Sequence, residues 1–166
     1  MQTFLSFENS GDDQIILSKE NDLAINALQE NKKYVYLYGP NKSGKSTLAK
    51  TFSIINKKKL IYDIPNKLEF ETDVYLDLNQ LPLNSENFFH FLQYFISNNL
   101  NLTIFSSHCL DIKSSNSEII PDTLSRLKSF TFISIDSPQD ELLFLLVEKF
   151  LKKNLSRFNP KSFSIL

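Results

Sequence analysis

The chain alternates between short apolar runs and longer segments in which apolar residues recur every three or four positions. Five stretches, 34–38, 60–63, 74–77, 102–106 and 130–135, are largely apolar, aromatic or β-branched and are flanked by turn-forming polar residues, which predicts buried strands. Between them lie helical patterns at 45–56, 86–98, 121–128 and 137–153, with an earlier one at 20–30. In 86–98 the residues Phe88, Phe91, Leu92, Phe95 and Ile96 share one face. The segment from Ser137 has Ser at the N-cap position, Pro138 in the first turn and acids at Asp140 and Glu141, a helix-start pattern. Strand and helix in alternation predict an α/β fold, a parallel five-stranded sheet covered on both faces. Ligands of such sheets sit at the carboxyl ends of the strands.

Composition adds limits. At 166 residues with 42% hydrophobic content, one domain with a sizeable core is expected. The net charge of −1 gives no electrostatic footprint for strong direct DNA binding. One cysteine, Cys109, excludes a disulfide framework and a cysteine zinc site. The N-terminus does not read as a signal peptide, and the apolar run 142–147 is too short to span a bilayer. A soluble, cytoplasmic protein without a membrane partner is the expectation.

The candidate chemistry is concentrated at 39–47. The sequence Gly39, Pro40, Asn41, Lys42, Ser43, Gly44, Lys45, Ser46, Thr47 fits Gly-x-x-x-x-Gly-Lys-Ser/Thr, the phosphate-binding loop, and follows a predicted strand and opens a predicted helix. Glycine lets the backbone curl so that successive N–H groups point at phosphate oxygens, and the helix N-terminus adds partial positive charge. Lys45 is placed to reach the β- and γ-phosphates, and the Ser46 hydroxyl to hold Mg2+; ADP or ATP is the expected ligand. The competing reading is a strand-to-helix turn without a ligand. The strand 74–77 ends in Asp77, a second candidate for Mg2+ through water, or else simply a strand-end residue. Leu78, Asn79 and Gln80 follow where a hydrolase of this class usually carries another acid; an amide orients water but accepts a proton poorly. Binding with weak or absent intrinsic hydrolysis is the expectation.

These residues resemble the DnaA-related AAA+ family of P-loop NTPases, and within it the Hda-type regulators of the replication initiator DnaA. The similarity runs over residues 14–155, a nucleotide-binding base domain. The segment 15–28, IILSKENDLAINAL, is similar to the family's N-terminal box, which implies that Ile16 and Leu17 contact adenine and that Asn21 leads into a helix; the usual Gly-Pro is here Ser18-Lys19. LYGPNKSGKSTLAKTF resembles its phosphate loop, and VYLDLNQL its magnesium-binding strand. IIPDTLSRLKSFTFISIDSPQDELLFLLVEKF, at 119–150, resembles its Ser-Arg-Leu segment, and by that match Arg126 is the arginine finger that acts on a nucleotide held by another subunit. The bare residue would equally fit a solvated arginine at a helix end. At the position of the family's polar sensor, FSSHCL offers Ser106, Ser107 and His108, with His108 nearest in alignment.

At the start, Gln2-Thr3-Phe4-Leu5-Ser6-Phe7 resembles the clamp-binding motif of Hda-type proteins, which implies that Gln2, Leu5 and Phe7 dock in an apolar cleft of the DNA polymerase sliding clamp, with 1–13 acting as peptide and tether. Thr3 replaces the usual leucine, and a frayed terminus or edge strand is the plain alternative. DnaA proper continues into a helical lid and a DNA-binding domain, of which the resemblance to Hda-type proteins implies only the lid; here 156–166 is read as a tail or lid remnant. The resemblance implies a regulator of replication initiation that binds ADP or ATP, docks on the clamp and stimulates hydrolysis of DnaA-bound ATP. A non-catalytic clamp- or DnaA-binding adaptor and an unrelated small P-loop ATPase or kinase remain open, as does assembly into a homo-oligomer.

Overall fold

The structure, a computed structural model, describes residues 4–5, 15–110 and 119–157. Two short strands, β1 (Phe4–Leu5) and β2 (Ile15–Ile16), pair antiparallel and precede helix α1 (Asp22–Gln29). Then follow β3 (Tyr34–Tyr38), α2 (Lys45–Ile55), β4 (Lys59–Ile61), β5 (Val74–Asp77), α3 (Glu86–Ser97), β6 (Leu102–Ser106), α4 (Pro121–Leu127), β7 (Thr131–Ser134) and α5 (Asp140–Arg157). The main sheet has five parallel strands in the order β4-β5-β6-β3-β7. The expected α/β architecture with a five-stranded parallel sheet is therefore the observed one.

Strand side chains alternate between two cores. Tyr36, Val74, Leu76 and Ile104 face one core with Phe88, Phe91, Leu92 and Phe95 of α3. Val35, Leu37, Tyr75 and Phe105 face the other with Ala24, Ile25 and Leu28 of α1 and Leu48, Ala49 and Phe52 of α2. Burial on both faces explains why these strands are apolar throughout.

The chain has only three glycines, so its helices end by other means. Asn31, Lys57 and Asn99 take φ of 53°, 52° and 56° just past α1, α2 and α3. The next N–H then reaches back over the last turn, as in Lys32 to Ala27 at 3.3 Å, Lys58 to Ser53 at 2.9 Å and Leu100 to Phe95 at 3.0 Å. Each is a Schellman closure without glycine, tolerable because asparagine visits the left-handed region at low cost and lysine at a moderate one.

Helix α5 starts later than the sequence pattern suggests. Ser137 and Pro138 lie ahead of it, and the first helical bond runs from the Leu143 N–H to the Gln139 carbonyl at 2.9 Å. Bonds from Ile135 to Tyr38 (2.7 Å) and from Asp136 to Glu20 (3.4 Å) hold the chain extended first. The helix runs through the boundary drawn at 155. Of the proposed clamp peptide, Leu5 is in β1 opposite Ile15, whereas Gln2 and Phe7 lie outside the described residues.

Candidate functional site: a phosphate loop between two clefts

The loop between β3 and α2 is fixed by its neighbours before any ligand is considered. Gly39 N–H donates to the Ser106 carbonyl at the end of β6 (3.3 Å), and a Cβ on Gly39 would collide with the Ile135 carbonyl oxygen beyond β7. No side chain fits there. Gly44, at the N-cap of α2, has φ of 92°, in the left-handed region that glycine alone occupies freely, and Lys42 also has positive φ at 67°. Within the loop the Ser43 N–H turns back to the Pro40 carbonyl at 3.3 Å.

Lys45, the first residue of α2, is buried and folds back over the loop. Its ammonium donates to the carbonyls of Gly39 (2.8 Å) and Pro40 (2.6 Å) and to Ser43 Oγ (3.2 Å). Burial lowers its pKa below the ordinary 10.5, and the Asp77 carboxylate partly opposes that. A buried cation held only by carbonyl and hydroxyl oxygens can exchange them for the oxygens of an anion at little cost.

Two clefts flank this loop. The larger, about 810 Å3, lies over the carboxyl ends of the strands and is lined by Asn41, Ser46, Lys50, Tyr62, the run Asp77 to Gln80, and Ser107. The structure therefore brings Ser46 and Asp77 onto one cleft, both of them oxygen donors of the hard type that Mg2+ takes. Asp77 is the only carboxylate among the lining residues, and Leu78, Asn79 and Gln80 all line the cleft beside it. A polar bridge crosses the strand ends: Ser107 Oγ donates to Asn41 Oδ1 at 2.7 Å and lies 3.4 Å from Asn79 Oδ1. Of the three residues offered for the polar sensor, Ser106, Ser107 and His108, it is Ser107 that lies beside the loop. The structure puts His108 instead beside Leu81, Pro82 and Leu83 in a different depression, with its carbonyl accepting from Tyr36 Oη at 2.7 Å.

The second cleft, about 120 Å3, lies on the other side of the loop and is mostly apolar. Ile15, Ile16, Asn21, Lys42, Ser43, Gly44, Thr47 and Leu48 line it, and Pro138, Leu142 and Leu146 close it. Ile16 and Asn21 thus meet the loop residues. Leu17 is not among the lining residues; it packs against the core below, and Ile15 takes the wall. Asn21 works through its neighbours: Nδ2 donates to the Ile16 carbonyl (2.8 Å) and Oδ1 accepts from the Ser18 N–H (3.0 Å), locking the bend of 16–18. The contribution of Pro138, Leu142 and Leu146 escaped the sequence reading. Its only trace was the apolar run at 142–147, which marks burial but not its place.

Arg126 lines neither cleft. It is half-buried near the end of α4, with the guanidinium carbon 5.9 Å from the Phe89 ring centroid, and its Nε has no hydrogen-bond partner among the described residues. Among the described residues no helix is long and apolar enough to cross a membrane, and no group of His, Cys, Asp and Glu is arranged to hold a metal by itself.

No protein-family model and no curated protein matches the chain in sequence. Solved structures do resemble it. DnaA from Aquifex aeolicus bound to AMPPCP superposes with a TM-score of 0.55 at 15% identity, over 87% of this chain and 54% of that one. A DNA replication initiation factor gives 0.58 at 14% identity, over 84% and 53%. The RuvB Holliday junction branch migration motor of Thermotoga maritima gives 0.50 at 14%, over 80% and 50%. The chain spans about half the length of the solved structures it matches. Its parallel five-stranded sheet flanked by helices is thus a fold shared with these DnaA and replication-initiation-factor structures.

Proposed function

We propose that the chain is an adenine-nucleotide-binding regulator of DNA replication initiation of the Hda type. The observation that carries the nucleotide reading is the pair of clefts on opposite sides of one phosphate loop, one polar with Ser46 and Asp77, the other apolar and narrow. A nucleotide has the same division: charged phosphates and a flat apolar base. Lys45 and the loop N–H groups bind the β- and γ-phosphates, Ile15, Ile16 and Leu146 pack on the base, and Ser46 with Asp77 orients a Mg2+ that neutralises phosphate charge.

Hydrolysis in this site is slow, because among the described residues no second carboxylate lines the cleft with Asp77 to take a proton from water. The activity is exerted elsewhere. Gln2, Leu5 and Phe7 dock on the sliding clamp, and Arg126, remote from its own nucleotide clefts, acts on ATP held by DnaA. An arginine that lines neither of its own clefts supports a role in trans.

Titration calorimetry with ADP and ATP, with and without Mg2+, tests the first step. Saturable heat, with affinity about 10–100-fold weaker in Lys45→Ala, is expected; no heat from folded wild-type protein with either nucleotide would sink the reading.

A further inference from the structure

Helix α5 turns one flank to the body of the fold, where Leu142 is buried. The flank carrying Leu143, Phe144, Val147, Phe150, Leu151 and Leu155 is open, with each of these between 45% and 71% exposed. At about 150–200 Å2 for a fully exposed side chain, roughly 600 Å2 of their apolar surface is left uncovered by the described residues. That is the upper end of what a monomer tolerates and approaches the ~800 Å2 that each partner contributes to a stable complex.

The order of residues along this stripe says what covers it. About Val147 the stripe reads alike in both directions: Phe144 and Phe150 lie three residues away, Leu143 and Leu151 four, and Asp140 and Asn154 seven. Positions 140, 147 and 154 and the pairs 143/144 and 150/151 alternate in steps of three and four, the spacing of a coiled-coil seam. A two-fold interface demands that residue i meet residue j while j meets i, and a stripe symmetric about its own midpoint meets that demand when two copies lie antiparallel. Charge agrees. Acidic residues open the helix at 140 and 141, and lysines crowd its second half at 149, 152 and 153. In the antiparallel register the acidic start of one helix lies beside the lysine-rich end of the other, and the helix dipoles oppose each other.

We propose that α5 is a homodimerisation helix, pairing antiparallel with α5 of a second copy about a two-fold axis through Val147. Phe144 packs on the partner's Phe150 and Leu143 on the partner's Leu151. The surface is separate from the phosphate loop, so the pairing stands whether or not the loop holds a nucleotide.

Sedimentation of the full chain between about 1 and 100 μM tests it, since self-association follows protomer concentration. A reversible monomer–dimer equilibrium is expected. Val147→Glu sets two carboxylates face to face at the axis and should weaken it by about 100-fold or more. The substituted side chain is exposed, so the melting temperature of the monomer should hold. Position is tested by crosslinking in a Cys109→Ser background. Val147→Cys should form a disulfide with itself; Leu143→Cys should not, yet should crosslink when mixed with Leu151→Cys. A chain that stays monomeric overturns the proposal, whether the stripe is open or covered by another part of the same chain. So does a dimer that survives Val147→Glu or fails to crosslink at 147.

Discussion

Lys45 donates its ammonium to the Gly39 carbonyl across the loop at 2.8 Å, so the cation and the turn that would hold a phosphate are already joined. Burial has lowered the pKa of this lysine from 10.5, and the Asp77 charge restores only part. A polyphosphate beside it favours the charged form and raises the pKa again.

Nucleotide binding should therefore take up protons at alkaline pH. Between the lowered pKa of the free protein and the higher pKa of the complex, Lys45 is more often neutral when the site is free. Affinity then falls as pH rises through the free-state value. Calorimetry at alkaline pH in two buffers of different ionisation enthalpy would measure the uptake. Lys45→Ala should abolish it and weaken binding by about 10–100-fold, the worth of charge-assisted hydrogen bonds.

The two loop glycines should differ in what they tolerate. Gly44→Ala meets nothing within 4 Å but must hold a φ of 92°, a strain of about 1–2 kcal/mol. Gly39→Ala drives a methyl group into the Ile135 carbonyl and must part the ends of β3 and β7, costing about 3 kcal/mol. Chemical denaturation of both variants gives the order; a Gly39→Ala protein as stable as Gly44→Ala would contradict it.

Asn21→Ala removes the two hydrogen bonds that fix the bend at 16–18, worth about 1–2 kcal/mol together. Because Ile15 and Ile16 wall the apolar cleft, nucleotide affinity should drop by about three- to tenfold while the sheet remains intact. Asn21→Asp should recover the Ser18 contact but not the donation to Ile16, and land between.

A second prediction about stability concerns Lys58, whose side chain is 2% exposed and whose ammonium lies 3.7 Å from Asp73 and 5.0 Å from the Tyr75 ring centroid. Asp73 also accepts from the Asn101 N–H at 2.8 Å, tying the start of β6 to β5. Asp73→Ala leaves the lysine without its countercharge and should cost about 3 kcal/mol. Burial already lowers the Lys58 pKa, and a base whose folded pKa lies below its unfolded value gains stability as pH rises between the two. Removing Asp73 widens that gap, so the melting-temperature deficit of the variant should shrink as pH approaches 10.5.

Arg126→Ala should leave nucleotide binding unchanged, since Arg126 lines neither cleft. It should abolish stimulation of DnaA ATP hydrolysis in the presence of clamp and DNA, and Arg126→Lys should not rescue it, because a point charge does not replace the guanidinium fork. Equal stimulation by Arg126→Ala would leave the clamp-binding adaptor as the better reading. If Arg126 serves only to pack on Phe89, Arg126→Ala should lower thermal stability while stimulation holds.

Much of the frame was determined by sequence alone. A strand buried on both faces must be apolar throughout, so 34–38, 74–77 and 102–106 were legible to the residue. The glycine turn between β3 and α2 was legible because its two glycines lie in one consecutive stretch, and the five-stranded parallel sheet followed from the alternation of strands and helices. Tertiary structure decided everything that depends on which strand end lies beside which. The order β4-β5-β6-β3-β7 sets β6 between β3 and β5, and this places Ser107 rather than His108 beside Asn41 and Asn79. It also brought Pro138, Leu142 and Leu146 to the apolar cleft about a hundred residues after Asn21. Periodicity records only that a side chain is buried; which partner buries it is fixed by packing between segments far apart in the chain.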